Sequence, residues 1–210
     1  MSDQIDGERT YGTAASRERL EAVARALQAN GMAAEVVDTP AAARDRALAL
    51  IPPGAAVLNT TSQTLQTTGL VAEIEGSGRY RALRPLYLAM DRASQGDEIR
   101  RMRSAPDVVV GSVHAVTERG EVVIASQTGS QLAPFAYGAA RVIWLIGAQK
   151  VVRDLDEAMQ RIYEYAYPLE DARAREAYGS GSGVNKLLVI GREVRAGRIT
   201  ALLIAETIGF

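Results

Sequence analysis

Two short segments of the chain hold more hydroxyl and amide side chains than a simple turn needs. The first is Asn59-Thr60-Thr61-Ser62-Gln63-Thr64, which follows the apolar run 55–58 and precedes a helical pattern. Placed there, Thr60, Thr61, Ser62, Gln63 and Thr64 offer hydroxyls, an amide and backbone N–H groups to a phosphate or carboxylate. The dipole at a helix start adds about 0.3–1 kcal/mol for such an anion. Read without function, Thr61 or Ser62 is an N-cap. The second segment is Thr128-Gly129-Ser130-Gln131, between an apolar run and a short helical pattern. Gly129 there permits a close backbone approach or a positive φ. The same four residues also read as a bare turn. Lys150 and Asn185 flank strand patterns near these segments, and each fits either a carboxylate contact or a surface role. His114 is the only histidine, so a site built on two or three histidines is excluded, and its apolar surroundings favour a structural role. There are no cysteines, which removes disulfides, thiolate metal sites and a cysteine nucleophile. Gly179-Ser180-Gly181-Ser182-Gly183 resembles a dinucleotide fingerprint in composition only, because it precedes a strand pattern where the fingerprint follows one; a linker or lid is expected. No nucleophile elbow, Walker loop or zinc spacing is present.

These segments need elements to hold them. Leu20, Val23, Ala24 and Leu27 fall on one stripe of a helix expected over 13–30. A strand over 33–37 follows, then Thr39 and Pro40 as N-cap and N1 of a helix through residue 50. Pro52-Pro53-Gly54 stops it. Further helices are expected over 64–75, despite Gly69, and over 97–104. Apolar runs at 108–110, 113–116 and 122–124 read as strands, the last two joined by a hairpin at Arg119-Gly120. Residues 131–137 fit a helical turn. The run Val142, Ile143, Trp144, Leu145, Ile146 is apolar on both alternating sets, as in a strand covered on both faces. Asp154 and Glu157 have capping spacing. Leu155, Ala158, Met159, Ile162, Tyr163 and Ala166 then give a buried helix face, with Pro168 as its expected end. Tyr163, Tyr165 and Tyr167 alternate just before it, suiting an exposed contact surface. Strands at 186–190 and 199–205, separated by a glycine-bounded turn region, suggest a second hairpin. Alternating strands and helices imply an α/β fold with a parallel-rich, mixed sheet flanked by helices.

The 210 residues suit one domain over 13–210 behind a flexible polar tail at 1–12. Hydrophobic residues make up 47% and charged residues 23%, so a packed core is expected rather than disorder. With 24 basic and 25 acidic residues, no cationic surplus points to nucleic acid. The cluster Arg100, Arg101, Arg103 is offset by Asp97 and Glu98 and reads as a solvated helix face. No apolar stretch is long enough to span a bilayer, and the start Ser2, Asp3, Gln4, Asp6 lacks the pattern of a secretory signal, so a cytoplasmic location is expected.

Four segments, in order, resemble the LUD (lactate utilisation) domain family. They are 59–65 with Thr68-Gly69-Leu70; 111–118, continuing through Gly120 to Val123; Thr128-Gly129-Ser130-Gln131 running to Gly138 and then 142–154; and the ending 199–210, closing on Glu206-Thr207-Ile208-Gly209-Phe210. The resemblance implies the fold shared by ribose-phosphate isomerase, glucosamine-phosphate deaminase and the CoA transferases. CoA transferases of that fold use a glutamate nucleophile, which makes Glu118 the counterpart by resemblance; as a plain residue it is an exposed turn position beside Arg119. Many family members carry a cysteine-rich tract where this chain has Tyr178 to Gly183, so no cluster is held there. The family's strand-end glycines are replaced by Asn59, Thr60 and Thr61. The resemblance implies a role in the use of lactate or a related hydroxy acid, as a component without a cofactor of its own beside iron–sulfur or flavoprotein partners, binding a small anionic ligand. Two alternatives stay open: an independent enzyme on a sugar phosphate or CoA ester, and a regulatory module that senses a carboxylate.

Overall fold

A computed structural model describes residues 11–210; the expected tail at 1–12 lies almost wholly outside the described residues. The chain runs β1 (Ala33–Val37), β2 (Ala56–Asn59), β3 (Arg81–Ala82), β4 (Val108–Gly111), β5 (Ala115–Thr117), β6 (Val122–Ser126), β7 (Arg141–Gly147), β8 (Val151–Val152), β9 (Lys186–Ile190) and β10 (Ile199–Ile204). Its helices are α1 (Arg17–Ala29), α2 (Pro40–Leu50), α3 (Gln63–Thr67), α4 (Leu70–Gly76), α5 (Leu83–Leu88), α6 (Gly96–Ser104), α7 (Leu155–Arg161) and α8 (Tyr167–Tyr178). Single π-helical turns occupy Pro134–Gly138 and Ile162–Ala166.

The six-stranded sheet has the order β1-β10-β7-β4-β2-β3 and is parallel throughout. Its central strands bury both faces, as the continuous apolar run of β7 requires. Val142, Trp144 and Ile146 join Ile199, Ala201 and Leu203 against the α1 stripe Leu20, Val23, Ala24 and Leu27. Ile143, Leu145, Leu202 and Ile204 face the other way, against Ala43 and Ala47 of α2, Leu65 of α3 and Leu70 and Ile74 of α4. Trp144 meets Phe135 edge-on, with ring centroids 5.7 Å apart, which wedges the Pro134–Gly138 turn into the first of these layers.

A second, four-stranded sheet has the order β8-β5-β6-β9. The hairpin expected at Arg119-Gly120 is β5–β6, paired antiparallel. The second expected hairpin does not form. β9 pairs antiparallel with β6, while β10 pairs parallel with β1 and β7 in the other sheet. The physical reason lies in the side chains. β10 is apolar on both faces and fits a central position, whereas β9 leaves Leu187 and Val189 exposed, as an edge strand can.

Two helix expectations also change. The helix expected over 64–75 is split into α3 and α4 at Thr68-Gly69. The helix starting at Asp154 does not end at Pro168. The π turn Ile162–Ala166 shifts the hydrogen-bond register, and Pro168 then enters the first turn of α8, where its missing N–H leaves no intrahelical bond unmade. Asp154 caps this helix, its Oδ1 accepting from the Glu157 N–H at 2.9 Å.

Candidate functional site

The C-terminal ends of β2, β4, β7 and β10 lie on one edge of the large sheet because its strands are parallel. In such sheets that edge is where ligands bind. The chain leaves β2 into 59–64, β4 into Ser112, β7 into Lys150 and β10 into the closing residues up to Phe210. The end of β6 leads into 127–131 from the second sheet. Thr60 to Thr64, Thr128, Ser130, Gln131, Ser112, Lys150 and Phe210 line one cavity of about 250 Å³. The structure therefore brings the two polar segments together.

Their residues do different jobs. Ser62 is an N-cap, its Oγ accepting from the Leu65 N–H at 3.4 Å. Thr61 Oγ1 accepts from Arg84 at 2.9 Å. The Thr60 N–H donates to Val110 and extends the sheet. Asn59 is buried; its Nδ2 donates to Glu75 at 2.8 Å, while Oδ1 has no partner among the described residues. Thr64 is buried, donating its hydroxyl to the Ile208 carbonyl at 3.3 Å and accepting from Lys150 Nζ at 3.1 Å. Gly209 lets the C-terminal strand exit pass over Thr64: its φ is +66°, and a Cβ there would run into Thr64 Oγ1.

In the second segment, Thr128 and Ser130 hydrogen-bond each other at 3.0 Å, and Gln131 Nε2 donates to the Ala125 carbonyl at 3.0 Å. Gly129 has φ +84° and packs against the Lys186 side chain, so it shapes the turn without lining the cavity. Asn185 also stays outside the lining and braces the turn from behind, donating to the Gln127 carbonyl at 3.2 Å. The glycine-rich loop after α8 reaches the cavity through Ser182 and Gly183, and Asp171 holds it by accepting from the Ser182 N–H at 2.8 Å. Glu118 lies elsewhere. It sits on the β5–β6 hairpin, in an ion pair with Arg19 at 2.8 Å, and is not part of the cavity wall. The hairpin points it at the surface of α1, so nothing bound in the cavity meets its carboxylate.

Sequence reasoning missed several lining residues. Arg103 donates to Ser130 Oγ at 2.8 Å and lies 4.7 Å from the centre of the Tyr87 ring, with its Nε buried and unpartnered. Among the described residues it forms no ion pair. Its place in an Arg100–Arg103 cluster made it look like a solvated face, and only the turn of α6 separates it from Arg100 and Arg101, which are exposed. Arg173 and Glu170 also line the cavity and neutralise each other at 2.7 Å. Tyr167, one of three alternating tyrosines, faces the cavity while Tyr163 is exposed.

Beneath the cavity lies a buried basic cluster. Arg161 is fully buried and has no carboxylate partner among the described residues; it donates to the carbonyls of Gln149 and His114, and it lies 5.1 Å from the centre of the Tyr165 ring. Burial lowers its pKa to about 10, so it remains a cation at neutral pH. His114 Nδ1 accepts from the Ala125 N–H at 3.2 Å, so the ring is a neutral tautomer. Burial first, then its basic neighbours Lys150 and Arg161, bring its pKa down to about 3. Lys150 Nζ donates to Ser112 Oγ at 3.0 Å as well as to Thr64, and burial followed by Arg161 holds its pKa well below the usual lysine value. Among the described residues, no group of three or more His, Asp or Glu is placed to hold a metal, and no helix is long and apolar enough to cross a membrane.

A LUD domain family model matches residues 20–179. Among solved structures, the chain resembles a DUF162 family protein from Deinococcus radiodurans, with a TM-score of 0.53 and 13% identity over 91% of this chain and 99% of that one. A likeness at that identity is one of fold. An acyl-CoA transferase from E. coli O157:H7, solved as a thioester complex with CoA, aligns over 53% of this chain and 24% of that one, at 21% identity and a TM-score of 0.35. No curated protein matches the sequence.

Proposed function

The chain belongs to the LUD domain family, and from that premise we propose that it takes part in the cytoplasmic use of lactate or a related hydroxy acid, with the sheet-edge cavity binding a small carboxylate or phosphate. The observation that carries this reading is the convergence of 59–64 and 128–131 on one cavity that also holds Arg103, a cation without an acidic partner among the described residues. The Arg173–Glu170 pair adds no net charge, so Arg103 sets the positive sign of the wall. Ser130 and Thr128, hydrogen-bonded to each other, add hydroxyls to the same wall. Because the chain has no cysteine to hold a cluster, an iron–sulfur or flavoprotein partner would supply the redox centre in any oxidation it serves.

Calorimetric titration with lactate, pyruvate, phosphate and a sugar phosphate tests the reading. Arg103→Ala should weaken the anion that binds by about tenfold to a hundredfold, since a hydrogen bond to a charged group contributes about 1.5–3 kcal/mol. Wild-type protein that binds none of these anions, or Arg103→Ala protein that binds as tightly as wild type, would refute it. Recovery of an iron–sulfur or flavoprotein with the tagged chain from its own cells is the matching test of the partner.

A further inference from the structure

Lys150 is one of only two lysines in the chain; the other 22 of its 24 basic residues are arginine. It is also the only buried one, and its amine makes two hydrogen bonds of fixed direction. A hydroxyl has one hydrogen to give. Ser112 donates its own to the Leu145 carbonyl at 2.6 Å, and Thr64 donates its own to the Ile208 carbonyl at 3.3 Å. Both hydroxyls must therefore accept from Lys150, which commits two of the amine's hydrogens. The third position on nitrogen is either another N–H or a lone pair. A third N–H would make a buried ammonium with no carboxylate in contact among the described residues, close to the buried Arg161 cation; Glu170, the acidic residue in the cavity wall, is engaged by Arg173. Desolvation and the neighbouring cation both favour the lone pair, the form in which an amine is a nucleophile.

We propose that Lys150 captures a small carbonyl compound bearing a carboxylate or phosphate as an imine, with Thr64 and Ser112 anchoring the amine. This deepens the anion-binding reading and rests on it: Arg103 and the polar turns take the anionic group, and Lys150 takes the carbonyl carbon. The nitrogen lone pair forms the C–N bond while the carbonyl π pair moves to oxygen. One amine proton moves to that oxygen, giving a carbinolamine. The C–O bond then breaks, the oxygen leaves as water with the second amine proton, and C=N forms. No oxidant or reductant takes part. The cavity of about 250 Å³ limits the partner to a compact molecule.

The test is reductive trapping of the full chain with cyanoborohydride at neutral pH, in the presence of glyoxylate, pyruvate or dihydroxyacetone phosphate. The carboxylate and phosphate probes distinguish the two anionic groups. Intact mass and peptide mapping read the product. The expected result is a single reduced adduct on the Lys150 peptide, unchanged in Lys186→Arg and reduced at least about tenfold in Lys150→Met, with circular dichroism confirming that the variants fold. The mapped site in wild-type protein decides the matter even if Lys150→Met does not fold. Labelling confined to Lys186 or the N-terminal amine, or equal labelling of urea-unfolded protein, overturns the proposal. Binding of a probe by calorimetry without any adduct overturns the imine and leaves the anion site standing. Neither binding nor adduct overturns both.

Discussion

Acid should destabilise this protein through His114, by an amount that follows from its burial. The imidazole has an ordinary pKa of 6.5 in the unfolded chain and about 3 in the folded one. Between those values the unfolded state binds a proton that the folded state refuses, so stability is complete above pH 6.5 and falls as the pH drops toward 3. The slope for one such group is about 1.36 kcal/mol per pH unit, so roughly 2.7 kcal/mol is lost by about pH 4.5. Against a total of about 5–15 kcal/mol for a domain, that loss is large. Carboxylates titrate in the same range, so the assay must isolate the histidine. His114→Asn keeps an acceptor for the Ala125 N–H but has no proton to gain. Urea unfolding of both proteins from about pH 7 to pH 4.5 should show wild type losing about 2–3 kcal/mol more than the variant, with the two curves parallel above pH 6.5. A wild-type-minus-variant difference that stays constant across that range would falsify the assignment of His114 as a neutral ring buried beside Arg161.

Two further substitutions probe the frame around the site. Arg198 is buried and donates to the carbonyls of Ala139, Pro134 and Phe135 at 3.1, 3.0 and 2.9 Å, while pairing with Glu193 at 2.7 Å. Arg198→Ala strands these carbonyls and a partly buried carboxylate, and should cost about 3–5 kcal/mol in urea unfolding; a loss below about 1 kcal/mol would show that water replaces the guanidinium freely. Gly209→Ala forces a side chain into a left-handed backbone against Thr64; it should lower stability by at least about 1 kcal/mol and weaken ligand binding together, and a variant with unchanged melting and binding would show that the C-terminal crossing does not order the cavity.

What the sequence determined by itself is local. The apolar stripe of α1, the Thr39-Pro40 start of α2, the run in β7 and the turn at Arg119-Gly120 each specify one element, because periodicity and turn chemistry act over a few residues. The family-like segments were equally legible, including the two polar turns. Tertiary structure decided the rest. Whether β9 and β10 paired with each other depended on which sheet had a vacancy for a strand apolar on both faces, a property of the whole core. Pro168 lies inside a continuous helix only because a π turn precedes it, and side-chain spacing does not announce such a turn. Arg103 read as solvated from its neighbours, yet the turn of α6 sends it to Tyr87 and Ser130 while Arg100 stays in water. Lys150 looked like a surface residue because a charged side chain is usually exposed. Its burial beside Thr64, Ser112 and Arg161 comes from strands far apart in sequence ending on one edge of a parallel sheet, and desolvation there is fixed by everything packed around the amine rather than by the residues next to it in the chain.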